Sequence, residues 1–370
     1  MFAEAVKSLG TEIERRFGAV HYESSMLPEI AGEELQRANL ANRISYKELL
    51  QSLVASNSIK QSYDKFSDFQ QTVWHGEYFQ IDFLLWLNSK TGKHQHGFCG
   101  AFQVIQGSSC QSTFLFSRSK CINDRLELGE VNWLNTKILR RGDVQKICGG
   151  QEFIHSVTHL QKPSMTLLVR SVNTPQHLPQ WSYYSPCVRM NPFVAPQRID
   201  YTLTKKIRAV DVAWECDLDF GDELANQVLE RCDLETAFRF MILADRPTCD
   251  GQAQKWKDAV HHRLMSRWPK FWPSLKKAVD ENDRVLEVGR KRKTVSDPHQ
   301  RFILEVLLTV PDRDAILDLV SAEFPNEDPR EFIASKIASV DSDECPKKIE
   351  ERSKRILASI DSGQNLKELL

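Results

Sequence analysis

Residues 93–107, KHQHGFCGAFQVIQG, set two histidines two apart just before an apolar, β-prone run. Side chains alternate between the faces of a strand, so His94 and His96 project the same way, and two imidazoles from one strand can grip a single metal ion. Imidazole suits Fe, Zn, Cu or Ni, so ligand type alone leaves the metal open. A third ligand has to come from a neighbouring strand. Residues 142–160, GDVQKICGGQEFIHSVTHL, supply His155, with His159 four residues on. The same spacing on a helix would suggest the HExxH zinc-protease pattern, but Ser156 stands where that pattern requires glutamate.

Outward from this stretch, residues from about 72 to 205 form short β-rich runs separated by Gly, Ser, Asn and Pro: EYFQIDFLLWL, STFLFS, VNWLNTKILRRGD, SMTLLVRSV and SYYSPCVRM. Strands without intervening helices imply an antiparallel sandwich or barrel. The flanks differ. In the N-terminal flank Val6, Leu9, Ile13 and Phe17 recur at helical spacing, and Tyr46, Leu49, Leu50, Leu53 and Val54 do so again. After about 208 the chain is helical in character, with Asp222 as a candidate cap and further segments at 252–267, 298–309, 312–323, 329–340 and 346–360. Asp297-Pro298 and Asp328-Pro329 each read as a cap followed by proline at the first helical position. The expected class is therefore α+β: an N-terminal helical segment (1–71), a central β-barrel (72–207) and a C-terminal all-helical domain (208–370).

The 370 residues are 41% hydrophobic and 27% charged, and no run approaches the length of about 18 apolar residues that a membrane span needs. The beginning of the chain lacks the apolar stretch of a signal peptide, and the nine cysteines are odd in number, scattered and without CxxC. A cytoplasmic, non-membrane protein with reduced thiols is expected. A formal net charge of -1 argues against a broad nucleic-acid-binding surface, and the basic run RKRK (290–293) reads as a solvated turn.

The HxH with Gly107 eleven residues beyond it, followed by a block opening on Gly142 and closing on HxxxH, resembles the two motifs of the cupin superfamily. More narrowly, HQHGFCGAFQVIQG resembles the bacterial thiol dioxygenases of the cysteine dioxygenase and 3-mercaptopropionate dioxygenase type, over about residues 72–190. The resemblance implies a cupin barrel, the double-stranded β-helix, holding Fe(II) through His94, His96 and His155, with O₂ as co-substrate. Zn, Mn and Ni are the alternative metals. No acidic residue stands three or four positions after the HxH, which implies an all-histidine triad.

The departures are as specific as the matches. The Ser-His-Tyr relay of those enzymes falls at Thr166, Leu168 and Arg170, and Gly100 stands where mammalian-type members carry the cysteine of a Cys–Tyr crosslink. A small polar substrate, a thiol or amino-acid-like molecule, is the expectation. Its candidate contacts are Thr166, Arg170 through bidentate carboxylate pairing, and a hydroxyl from Tyr183 or Tyr184. His159 reads either as a competing ligand or as a core histidine donating to a backbone carbonyl. The expected activity is that of a mononuclear non-haem iron dioxygenase. The alternatives are a non-oxidative metal isomerase or lyase, and a ligand-sensing or interaction protein. The C-terminal helices are the candidate surface for a homodimer or a carrier protein.

Overall fold

A computed structural model describes residues 2–55, 61, 67–87, 90–172, 174–177, 180–191, 201–244, 246, 252–340, 346–363 and 366–369. The strands are β1 (Phe69–His75), β2 (Phe79–Trp86), β3 (Lys90–His96), β4 (Gly100–Gln106), β5 (Ser109–Asn123), β6 (Leu126–Leu139), β7 (Val144–Ile147), β8 (Gly150–His159), β9 (Ser164–Ser171), β10 (Ser182–Tyr184) and β11 (Val188–Met190). The α-helices are α1 (Phe2–Ala19), α2 (Leu27–Ala38), α3 (Tyr46–Ala55), α4 (Tyr201–Cys216), α5 (Leu218–Glu230), α6 (Leu234–Leu243), α7 (Gln252–Arg267), α8 (Trp272–Thr294), α9 (Pro298–Thr309), α10 (Arg313–Glu323), α11 (Pro329–Ala338) and α12 (Pro346–Asp361).

One sheet has the order β1-β2-β9-β4-β7, and a closed barrel has the order β10-β11-β6-β5-β8-β3. Between β2 and β9 successive strands switch from one sheet to the other, except at the β5–β6 step. That alternation is the winding of a jelly roll, or double-stranded β-helix. The chain divides into two compact units: residues 1–115, 133–180 and 288–370 in the first, residues 116–132 and 181–287 in the second. Strands β1–β4 and β7–β9 lie wholly within the first unit.

In the first unit the five-stranded sheet is buried on both faces, which explains why β2 reads as an almost unbroken apolar run; every residue of that strand is buried. Alternate residues serve different cores. Ile81, Phe83, Leu85, Ala101, Ile105, Leu167 and Val169 pack with α1 and α2 through Leu9, Ile13, Phe17, Leu27 and Leu35. Leu84, Trp86, Phe102, Val104 and Leu168 form a separate inner cluster with Phe98 and Ile147. A third core joins Cys110 of β5 and Leu160 to Phe302, Ile303, Val306 and Leu307 of α9 and to Ile333 and Ile337 of α11. Gly100 is required where β4 meets β9. A Cβ there would lie 1.9 Å from the Val169 carbonyl oxygen, so no cysteine can occupy that position without moving the strand.

The second unit packs α4–α7 and α8 as far as residue 287 around Trp214, Phe238, Phe240, Leu264 and Trp272, with Leu126, Val188 and Met190 from its strands. Trp268 and Phe271 join the same packing.

Several expected boundaries hold, and others move. Asp297 and Asp328 cap α9 and α11, each with proline at the start, and Asp328 accepts from both Arg330 N and Glu331 N. Asp222 is not a cap. Asp217 caps α5 by accepting from Phe220 N, while Asp222 sits inside that helix and accepts from Trp214 Nε1 and Arg246. RKRK is not a solvated turn either: it forms the end of α8, and Arg292 is buried there, donating to Thr158 Oγ1 at 3.0 Å. Basic residues in a last turn are favoured by the helix dipole, a local cause that a count of charges overlooks.

Candidate metal centre

The site is built by the antiparallel pairing of β3 with β8, in which His94 lies directly opposite His155. Two irregularities shape it. The first falls between Thr91 and His94: Thr91 pairs with Val157 and His94 with His155, so β3 spends three residues where β8 spends two. This bulge returns His94 to the face that Thr91 occupies, which an odd spacing on a regular strand would forbid. The second falls between Gln95 and His96 and sets His96 opposite Gly150, whose φ is +76°.

The result brings one ring nitrogen each from His94, His96 and His155 within 4.8 Å of one another. His96 Nε2 and His155 Nε2 stand 2.9 Å apart. Two nitrogens each about 2.0–2.1 Å from a shared centre, at a right angle, are about 2.9 Å apart, so this pair fits adjacent positions around one ion. Two of the three remaining nitrogens are committed, while His96 Nδ1 is buried without a partner among the described residues. His94 Nδ1 lies 2.8 Å from the Gly92 carbonyl oxygen and His155 Nδ1 lies 3.3 Å from Gln111 Oε1, both of which accept a hydrogen bond from the ring. Gln111 is itself oriented, because its Nε2 donates to Gln145 Oε1 at 3.0 Å. These partners leave Nε2 of His94 and His155 deprotonated, the form that binds a metal. Burial lowers the pKa of all three rings, and the mutual repulsion of their charged forms lowers those of His96 and His155 further. Neutral imidazoles in a buried cluster are the donor set a divalent ion needs.

A cavity of about 60 Å³ opens beside the triad, lined by Leu84, Trp86, Phe98, Phe102, Val157, Leu168 and others. His159 and Thr166 also face it. His159 does not donate to a backbone carbonyl: its Nδ1 lies 2.9 Å from Ser109 Oγ, and its ring stacks on Trp86 at 4.3 Å between centroids. Its Nε2 is buried and has no partner among the described residues. Burial and the nearby Arg292 charge push its pKa down to about 3, so this ring is neutral at ordinary pH. Thr166 accepts from Trp86 Nε1 at 3.2 Å, leaving its own hydroxyl hydrogen free to donate onward.

The other residues singled out in the sequence lie elsewhere. Arg170 shares a strand face with Thr166 and Leu168 but does not line the cavity; its Nε donates to Asp82 Oδ2 at 3.0 Å. Asp82 is fully buried and also accepts from Thr72 Oγ1 and Gln80 Nε2, forming a polar network at one end of that face. Tyr183 packs edge-on against Phe116 and Tyr184 against Phe238, and neither lines the cavity. Cys99 is buried with its Sγ 3.2 Å from His177 Nε2. Gln111, Ser109 and Trp86 carry no signal in the sequence, since their contacts with the histidines depend on which strands pair.

No family model and no curated protein matches the chain. Among solved structures, one from the crystal structures of DMSP lyases RdDddP and RnDddQII is 13% identical with a TM-score of 0.19, covering 28% of this chain and 44% of that one. The chain thus spans under half the length of that structure. Hydroquinone 1,2-dioxygenase from Sphingomonas sp. TTNP3, solved with 4-hydroxybenzoate bound, is 13% identical with a TM-score of 0.23, covering 32% of this chain and 70% of that one. Likenesses this slight leave the fold and the chemistry to be argued from the chain itself.

Proposed function

We propose that this chain is a metal-dependent cupin enzyme, and that its activity is that of a mononuclear non-haem Fe(II) dioxygenase acting on a small molecule. One observation carries the reading: three histidines converge on the wall of a mostly apolar cavity, with no carboxylate among the described residues that line it. A three-histidine facial set leaves coordination positions open, and the redox chemistry of bound iron toward O₂ is what such an ion supplies. The protein's share is separate. His94, His96 and His155 hold the ion, while Gly92 O and Gln111 fix the ring tautomers. The apolar wall of Leu84, Phe98, Phe102 and Leu168 keeps water from the reacting groups. His159 Nε2, buried and unpartnered among the described residues, is placed to share a hydrogen bond with the substrate.

The test is metal analysis of anaerobically purified protein together with O₂ uptake over a panel of small substrates. Stoichiometric iron that falls at least tenfold in His94→Ala and His155→Ala is expected, with substrate-dependent O₂ consumption. Iron that is absent, or unchanged in both variants, overturns the reading. Air-independent turnover with zinc, manganese or nickel replaces it with the isomerase or lyase alternative.

A further inference from the structure

We propose that the substrate carries one metal-binding head and an uncharged, largely apolar remainder of only a few heavy atoms, and that amino-acid zwitterions are excluded. This rests on the metal-centre reading above and sharpens it. Among the described residues, the lining offers besides the triad only Thr91, Thr166, His159 and the Trp86 indole N–H as polar groups, the last spent on Thr166, and no carboxylate, ammonium or guanidinium. Thr91 is already engaged, its Oγ1 accepting from Val157 N at 2.9 Å.

Two cations on the strands that build the site are committed to buried carboxylates. Arg170, on the same strand face as the lining residues Thr166 and Leu168, is paired with Asp82. Lys90 on β3 is paired with Glu305, which also faces Arg292. A substrate ammonium or second carboxylate would therefore enter a cavity without a counter-ion, at a cost of several kcal/mol for an unpaired buried charge. An anionic head escapes this penalty, because it would sit on the cation held by the three neutral rings.

Size narrows the class further. A dry cavity of about 150 Å³ takes a benzene ring, whereas this one is about 60 Å³. About two to four heavy atoms beyond the head fit that volume, and the unpartnered His159 Nε2 is placed to share one hydrogen bond with them.

Cobalt(II)-loaded protein provides a readout independent of turnover, since a bound thiolate adds charge-transfer absorption. Cobalt stoichiometry is measured first; failure to load one cobalt per chain overturns the metal-centre reading itself. On loaded protein, propane-1-thiol, cysteamine and mercaptoacetate are titrated. The first two differ mainly in exchanging a methyl group for an ammonium. The expected result is propane-1-thiol binding at least tenfold more tightly than either charged probe. Equal or tighter binding of cysteamine or mercaptoacetate, or no spectral response to propane-1-thiol on fully loaded protein, overturns the proposal while leaving the metal centre standing.

Discussion

At the residue scale the centre depends as much on what orients the rings as on the rings. Gln111 is 1% exposed, and its amide is locked by Gln145 so that the oxygen faces His155 Nδ1. Partners of this kind typically change metal affinity by about 10–100-fold when removed. Gln111→Leu keeps the volume and deletes the acceptor, so chelator competition should show a loss of metal affinity in that range; an unchanged affinity would remove Gln111 from the site. This residue illustrates the limit of reading the sequence. His94 and His96 are legible because period-two spacing is a local property, and His155 because a glycine-rich block leads to it. Gln111 is invisible, since only the pairing of β5 with β8 brings it to His155.

At the element scale, the inner face of β2 and β9 is divided in two. One end carries Leu84, Trp86, Thr166 and Leu168 beside the metal ligands, and the other carries Gln80, Asp82 and Arg170. Period-two alternation made it legible that Thr166, Leu168 and Arg170 share a face. It could not reveal that Asp82, one strand away and opposite Leu168, takes the arginine. Removing one partner of a buried pair leaves the other charge uncompensated, although Asp82 keeps two hydrogen bonds and Arg170 is slightly exposed. Arg170→Gln should therefore lower stability by about 1–3 kcal/mol in urea unfolding while leaving metal stoichiometry intact. A variant of wild-type stability that loses metal would return Arg170 to the site.

At the scale of the whole molecule, residues 208–370 read as one helical block, yet residues 208–287 pack in one unit and residues 288–370 in the other. Helical periodicity identifies the helices but not the core each one enters, because Ile303 and Phe238 look alike in sequence while belonging to different clusters. Each unit buries a histidine held neutral, and this gives both the same sign of pH dependence. Burial lowers His159 to about 3 in the first unit and His261 to about 4 in the second, where Trp272 Nε1 donates to His261 Nδ1. A depressed histidine pKa contributes stability that is fully present above the unfolded value of about 6.5. As pH falls below that value the unfolded chain takes up protons that the folded rings refuse. Each ring then withdraws about 1.4 kcal/mol per pH unit until its folded pKa is reached. Urea unfolding of metal-free protein between pH 7.5 and 4.5 should show midpoints falling for both units. A metal held by His94, His96 and His155 would bind only the folded first unit, so at neutral pH saturating metal should raise the midpoint of that unit by mass action. Fluorescence of His261→Phe, which removes the titrating ring from the second unit, assigns the transitions. If the second unit keeps its full acid sensitivity in that variant, His261 is not its source.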